Sequence, residues 1–127
     1  MAYYLVHARP RAELLPALED GLRTGIYREL EPFGRALSTS LRDARLAPDG
    51  RACWEEEDYC RPPLAQERAA VLDRHFADIT VEAVEQGAGW RQIAGLPRLF
   101  PALALPVVAG NWFGPRAGVT ASGKRRQ

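Results

Sequence analysis

Between positions 35 and 60 the chain reads RALSTSLRDARLAPDGRACWEEEDYC, and the fold turns on whether this stretch is a hairpin. Its centre, Ala47-Pro48-Asp49-Gly50-Arg51, carries turn residues in a usable order. Pro48 presets φ for position i+1 of a type I turn and Asp49 suits i+2. Gly50 can take the positive φ of the bulge that closes a three-residue loop. The flanking arms, 35–46 and 51–60, hold no internal Gly or Pro. With Ala47 paired to Arg51, Leu46 opposes Ala52, Arg45 opposes Cys53, Ala44 opposes Trp54 and Arg42 opposes Glu56. Side chains alternate along a strand. One face then holds Ala36, Ala44, Leu46, Ala52 and Trp54, fit to lie beneath helices. The other holds Asp43, Arg45, Glu55, Glu57 and Tyr59, which needs water or a ligand.

Composition sets the bounds. A chain of 127 residues, 46% hydrophobic and 26% charged, is one globular domain with enough material for a core. Seventeen basic against sixteen acidic residues leave a net charge of +1, so no overall field draws in nucleic acid. Cys53 and Cys60 fall on one predicted strand, roughly 23 Å apart at ~3.3 Å per residue, too far for a disulfide. Reduced thiols, a start without a signal peptide and no long apolar run predict a soluble, cytoplasmic protein without a membrane partner.

Taken in order, Tyr3 to Arg9 reads as a central strand with Tyr4, Val6 and Ala8 under helices and Tyr3, Leu5, His7 and Arg9 on the reverse. A helix over 13–30 follows, with leucine or isoleucine at 14, 18, 22, 26 and 30, and Pro16 places its regular start near Leu15. After the hairpin, Pro63 opens a helix over 64–76 with Ala65, Ala69, Leu72 and Phe76 as its buried stripe. His75, in its last turn, reads as a capping or surface residue. Residues 78–84 alternate as a last strand. Residues 87–113 form an apolar, proline-broken extension packing on the domain or on a partner subunit, and 114–127 a flexible tail.

The element order over 1–86 is βαββαβ, an α+β arrangement with two helices on one face of a four-stranded antiparallel sheet in spatial order 4-1-3-2. In that order the chain resembles the ferredoxin-like dimeric α+β-barrel superfamily. The resemblance implies a homodimer whose sheets enclose a pocket. Small monooxygenases, polyketide cyclases, muconolactone-isomerase-like enzymes and binding proteins share that fold, so it implies no single activity.

The reverse sheet face supplies the candidate residues. His7, on the central strand, is the candidate proton-transfer group, with Glu55 or Glu82 as its orienting partner. Arg9 could anchor an anion by a forked pair of hydrogen bonds, and Tyr3 and Tyr59 could line an aromatic pocket. Each has a blander reading: a hydrogen-bonded structural histidine, a salt bridge, ordinary packing. The run Glu55-Glu56-Glu57-Asp58 splits two carboxylates to each face, with Glu56 neutralised by Arg42 across the hairpin. Cys53, opposite Arg45, could be a reactive thiol, though a buried inert one is commoner. Two histidines and two unpaired cysteines argue against structural zinc, and no glycine loop cradles a phosphate.

The function expected is binding of a mostly apolar or aromatic metabolite in a sheet-face pocket, with cofactor-independent acid–base chemistry of the cyclase, isomerase or monooxygenase kind. The alternative is a non-catalytic ligand-binding or protein-interaction module. Metal binding through His7 and the glutamates ranks third.

Overall fold

The computed structural model describes residues 2–104. The expected tail, 114–127, and the end of the apolar extension, 105–113, lie outside the described residues. The fold is α+β. Four strands, β1 (Ala2–Pro10), β2 (Arg45–Leu46), β3 (Ala52–Asp58) and β4 (Phe76–Val84), form one antiparallel sheet in the order β2-β3-β1-β4.

The hairpin turn forms as its residues dictate. Gly50 has φ +88°, its N–H reaches Ala47 O at 2.9 Å, and the Ala47 N–H reaches Arg51 O at 2.8 Å. Arg45 pairs with Cys53 and Leu46 with Ala52, the expected register. There the hairpin stops. Residues expected to continue its first arm instead form α2 (Gly34–Arg42), so the pairings of Ala44 with Trp54 and Arg42 with Glu56 do not exist. The reason is period. Gly34, Leu37, Ser38 and Leu41 recur at i, i+3, i+4 and i+7, and all four are buried along one side of the helix. No equal alternation competes with that stripe.

The first expected helix also divides. α1 (Leu15–Thr24) ends at Gly25, and a 3₁₀ turn (Ile26–Glu29) follows. The second is a composite rod, α3 (Ala65–Glu67), a π turn (Arg68–Leu72) and α4 (Asp73–His75), which runs straight into β4. A π turn holds one residue more than an α turn. The buried set is Leu64, Glu67, Val71, Leu72 and His75, with Phe76 at the start of β4, while Ala69 is exposed. His75 is not a surface cap: its Nδ1 lies 2.8 Å from Val71 O, and its ring meets Tyr27 edge-on.

Val6, Ala8, Ala52, Trp54 and Phe76 meet Leu18, Leu22, Leu37, Leu41 and Leu72 in the main core. Trp54 and Phe76 stack at its centre with ring centroids 5.2 Å apart. The reverse face is not bare. α5 (Ala88–Ile93) lies across it, and Leu5, Cys53 and Ile93 make a second, smaller core with Trp90 and Leu96 at its margin. Helices thus pack on both faces rather than on one. Beyond α5 the chain returns along β2, where Leu46 N–H donates to Pro97 O and Leu99 N–H to Ala44 O, both at 2.8 Å. The Arg45 guanidinium ties this strap down by donating to Ala94 O and Leu96 O.

Candidate functional site

The six residues singled out from the sequence do not converge. Tyr3 and Arg9 lie at opposite ends of β1, roughly 20 Å apart at ~3.3 Å per residue. Arg9 is exposed and paired with Asp78 at 3.5 Å, beside the register shift between His7 and Arg9. His7 does face away from the main core, but its direct partners are Cys53 and Thr80. Glu55 and Glu82 flank Leu5 instead, one step along the ladder. Partial burial lowers the His7 pKa, helped by the Arg51 charge and only weakly opposed by Asp49 and Glu82. The expected elevation by neighbouring carboxylates is therefore outweighed.

Glu55 is committed elsewhere. Only 4% exposed, it accepts the Gly87 and Gly89 N–H groups at 2.8 Å and the Trp90 N–H at 3.3 Å, capping the first turn of α5. Gly89 permits this approach, since a Cβ there would stand 2.9 Å from Glu55 Oε1. Glu82 is exposed on β4. Tyr3 lines an open groove with Arg35, Glu57 and Trp90 between α2 and α5. Cys53 is fully buried, and that burial raises its pKa, so the thiol is unreactive packing.

Only Tyr59 borders a site of different character. Continue the alternation of β3 past Trp54, and Glu56 and Asp58 follow on the same inward face, opposite Tyr4 and Ala2. Glu56 is 0% exposed and Asp58 3%. The end of α3 brings Glu67, 1% exposed, to the same end of the sheet. Cys60, two residues beyond Asp58, sets its Sγ 3.9 Å from Glu67 Oε1. One ligand atom each from Asp58, Cys60 and Glu67 falls within 4.8 Å of the other two. These residues line a cavity of about 260 Å³ whose remaining wall includes Pro32, Phe33, Ala36 and Tyr59. Tyr59 is 72% exposed, at the rim.

Buried carboxylates are costly without a counter-charge. Among the described residues no arginine or lysine forms an ion pair with Glu56, Asp58 or Glu67. Arg42, the expected partner of Glu56, donates to Leu22 O and Leu103 O from α2. The group manages its charge by protonation. Burial, reinforced by the hydrogen bond and charge of Asp58, pushes Glu67 up to about 7. For Asp58 burial acts the same way, but the Leu64 N–H at 2.6 Å and hydrogen bonds from Glu67 and Cys60 outweigh it and hold the carboxyl low. Burial drives Glu56 well above the usual carboxyl range, and the Glu67 charge is the next largest cause. Cys60 is also raised: a backbone N–H favours its thiolate, but burial and Asp58 prevail.

Continuing the period-two pattern would have placed Glu56 and Asp58 inside from sequence alone. Glu67 would not have followed: it shares the i, i+4, i+8 spacing of Val71 and His75, but a glutamate on a helix is ordinarily exposed, and only tertiary packing puts this one inside. Comparison with family models, with curated proteins and with solved structures finds no match for this chain.

Proposed function

We propose that the protein binds a small, mostly apolar or aromatic molecule in the cavity bounded by Phe33, Ala36 and Tyr59, with its polar end at the buried carboxylates. One observation carries this reading: apolar walls converge on a few polar groups in a concave site, as in ligand pockets generally. The ferredoxin-like analogy lends support only as a fold that hosts such pockets. A dimeric barrel would have to form around α5, which occupies the face two subunits would share, so the site is placed within one chain. Sedimentation of the purified protein tests the homodimer separately. Acid–base turnover by His7 with Glu55 and Glu82 has less behind it, since the Glu55 oxygens already serve three N–H groups. The binding-module reading is the one advanced here.

A neutral solvatochromic dye should bind saturably at one site per chain, and Ala36→Trp, which fills the cavity, should abolish binding. Ala83→Trp, on the exposed part of β4, should leave it intact. Dye binding that survives Ala36→Trp would place the site elsewhere.

A further inference from the structure

The floor of the cavity holds Asp58, Glu67 and the Cys60 thiol, with Glu56 buried on the same strand face; Arg35 borders the wall, but among the described residues no arginine or lysine forms an ion pair with these carboxylates. A cluster of acids alone means little; a second feature gives this one direction. Glu56 Oε1 accepts the Trp54 indole N–H at 3.0 Å, but Oε2, fully buried, has no hydrogen-bond partner. Glu56 stands two residues before Asp58 on the same inward face, and no other charge acts on it as strongly as that of Glu67, so its carboxyl neighbours the three ligand residues without being one of them. Buried acceptors left unpaired are rare in native proteins and point to a missing partner.

We propose that Asp58, Cys60 and Glu67 bind one divalent first-row transition-metal ion of the zinc type, with Glu56 Oε2 accepting from a water on that ion. The donor set selects the class. A thiolate disfavours calcium and magnesium, which take oxygen ligands, while a mixed sulfur and oxygen set suits zinc or cobalt. The spacing fits: tetrahedral ligands at about 2.3 Å for sulfur and about 2.0 Å for oxygen stand about 3.5 Å apart. The Cys60 Sγ to Glu67 Oε1 separation is 3.9 Å, and the whole triad lies within 4.8 Å. Closure by no more than about 1.5 Å completes the contacts. Binding releases the protons of the thiol and of Glu67 to solvent, with no change of oxidation state. With three protein ligands the ion keeps a position for water or for the polar end of a ligand. The ion uses the floor of the cavity proposed above but needs no organic occupant.

Titration of the full-length chain with Co²⁺ should show one equivalent bound, with a near-ultraviolet thiolate-to-cobalt band. Cys60→Ser should remove the band, and Glu67→Gln should weaken binding at least tenfold. Circular dichroism checks that both variants are folded. Because either could destabilise the chain, a second measurement uses the unaltered protein: Zn²⁺ should slow alkylation of Cys60 at least tenfold. Sub-stoichiometric Co²⁺, a band that persists in folded Cys60→Ser, binding of Ca²⁺ or Mg²⁺ in preference to Co²⁺, or unprotected Cys60 would each overturn the proposal. Dye binding in chelator with no Co²⁺ site rejects the ion alone; Co²⁺ binding without dye binding rejects the apolar pocket alone.

Discussion

Glu55 and Glu56 are adjacent, both are buried, and they meet opposite fates. Glu55 points into the small core, where three backbone N–H groups of the α5 turn satisfy its two oxygens. Glu56 points into the main core, where one indole N–H satisfies one oxygen and the other is left over. Burial by itself therefore says nothing about role. What separates a structural carboxylate from a functional candidate is whether its acceptor capacity is used.

The contrast can be tested by removing each in turn. Glu55→Ala should have the largest effect, costing about 3 kcal/mol in chemical denaturation, because buried donors left unpaired cost about 1–3 kcal/mol each and water can reach some of them. A loss under about 1 kcal/mol would show that the α5 cap is not needed. Glu67→Gln, in metal-free protein, sharpens the comparison through pH. A carboxyl raised from 4.5 to about 7 binds more protons folded than unfolded between those values. Stability should therefore fall as pH rises through that window, by no more than about 3 kcal/mol. The variant should lose the part of that slope due to Glu67, while Glu56, also raised by burial, keeps its own. Asp58, whose pKa is lowered from 3.8, contributes in the opposite sense and only in more acid solution, so the two windows separate. An unchanged pH profile would disprove the protonated state of Glu67.

Gly89→Ala should cost about 1–3 kcal/mol by pressing a Cβ against Glu55, and its effect should be far from additive with Glu55→Ala. Additive losses in the double variant would mean that the two do not share one packing constraint. Glu56→Gln should be nearly silent, under about 1 kcal/mol, since an uncharged amide keeps an acceptor for Trp54. A loss as large as that of Glu55→Ala would erase the distinction drawn above. Least of all should His7→Ala matter, within about 0.5 kcal/mol, as a partly buried side chain outside both cores whose ring is in no hydrogen bond among the described residues.

Much of the frame was legible in the sequence. The Pro48-Asp49-Gly50 turn, the two faces of β1 and the existence of β4 follow from local chemistry and a period of two, although Val81 and Ala83, on the expected apolar side of β4, are exposed. What failed was a competition between periods. A stretch free of Gly and Pro before the turn suggests a long arm, while the 34, 37, 38, 41 spacing dictates a helix. α5 was read as an aperiodic extension because six residues between glycine-rich and proline-rich stretches are too few to reveal a helical repeat. The acid floor was half visible: Glu56 and Asp58 follow from strand parity, whereas Cys60 and Glu67 join them only through tertiary approach.

The one-residue surplus at Arg68–Leu72 is absorbed in a single wide turn, so one rod keeps Leu64, Glu67, Val71, Leu72 and His75 along one side. Upstream, Leu64 and Glu67 stay in step with the end of β3; downstream, Val71, Leu72 and His75 stay in step with the sheet centre. Deleting exposed Ala70 would close the wide turn to a regular α turn and leave the residues on either side facing as they do now. The chain should then keep both its interior and the burial of Glu67. The spare residue is tolerated by the fold, and the cavity floor does not depend on it.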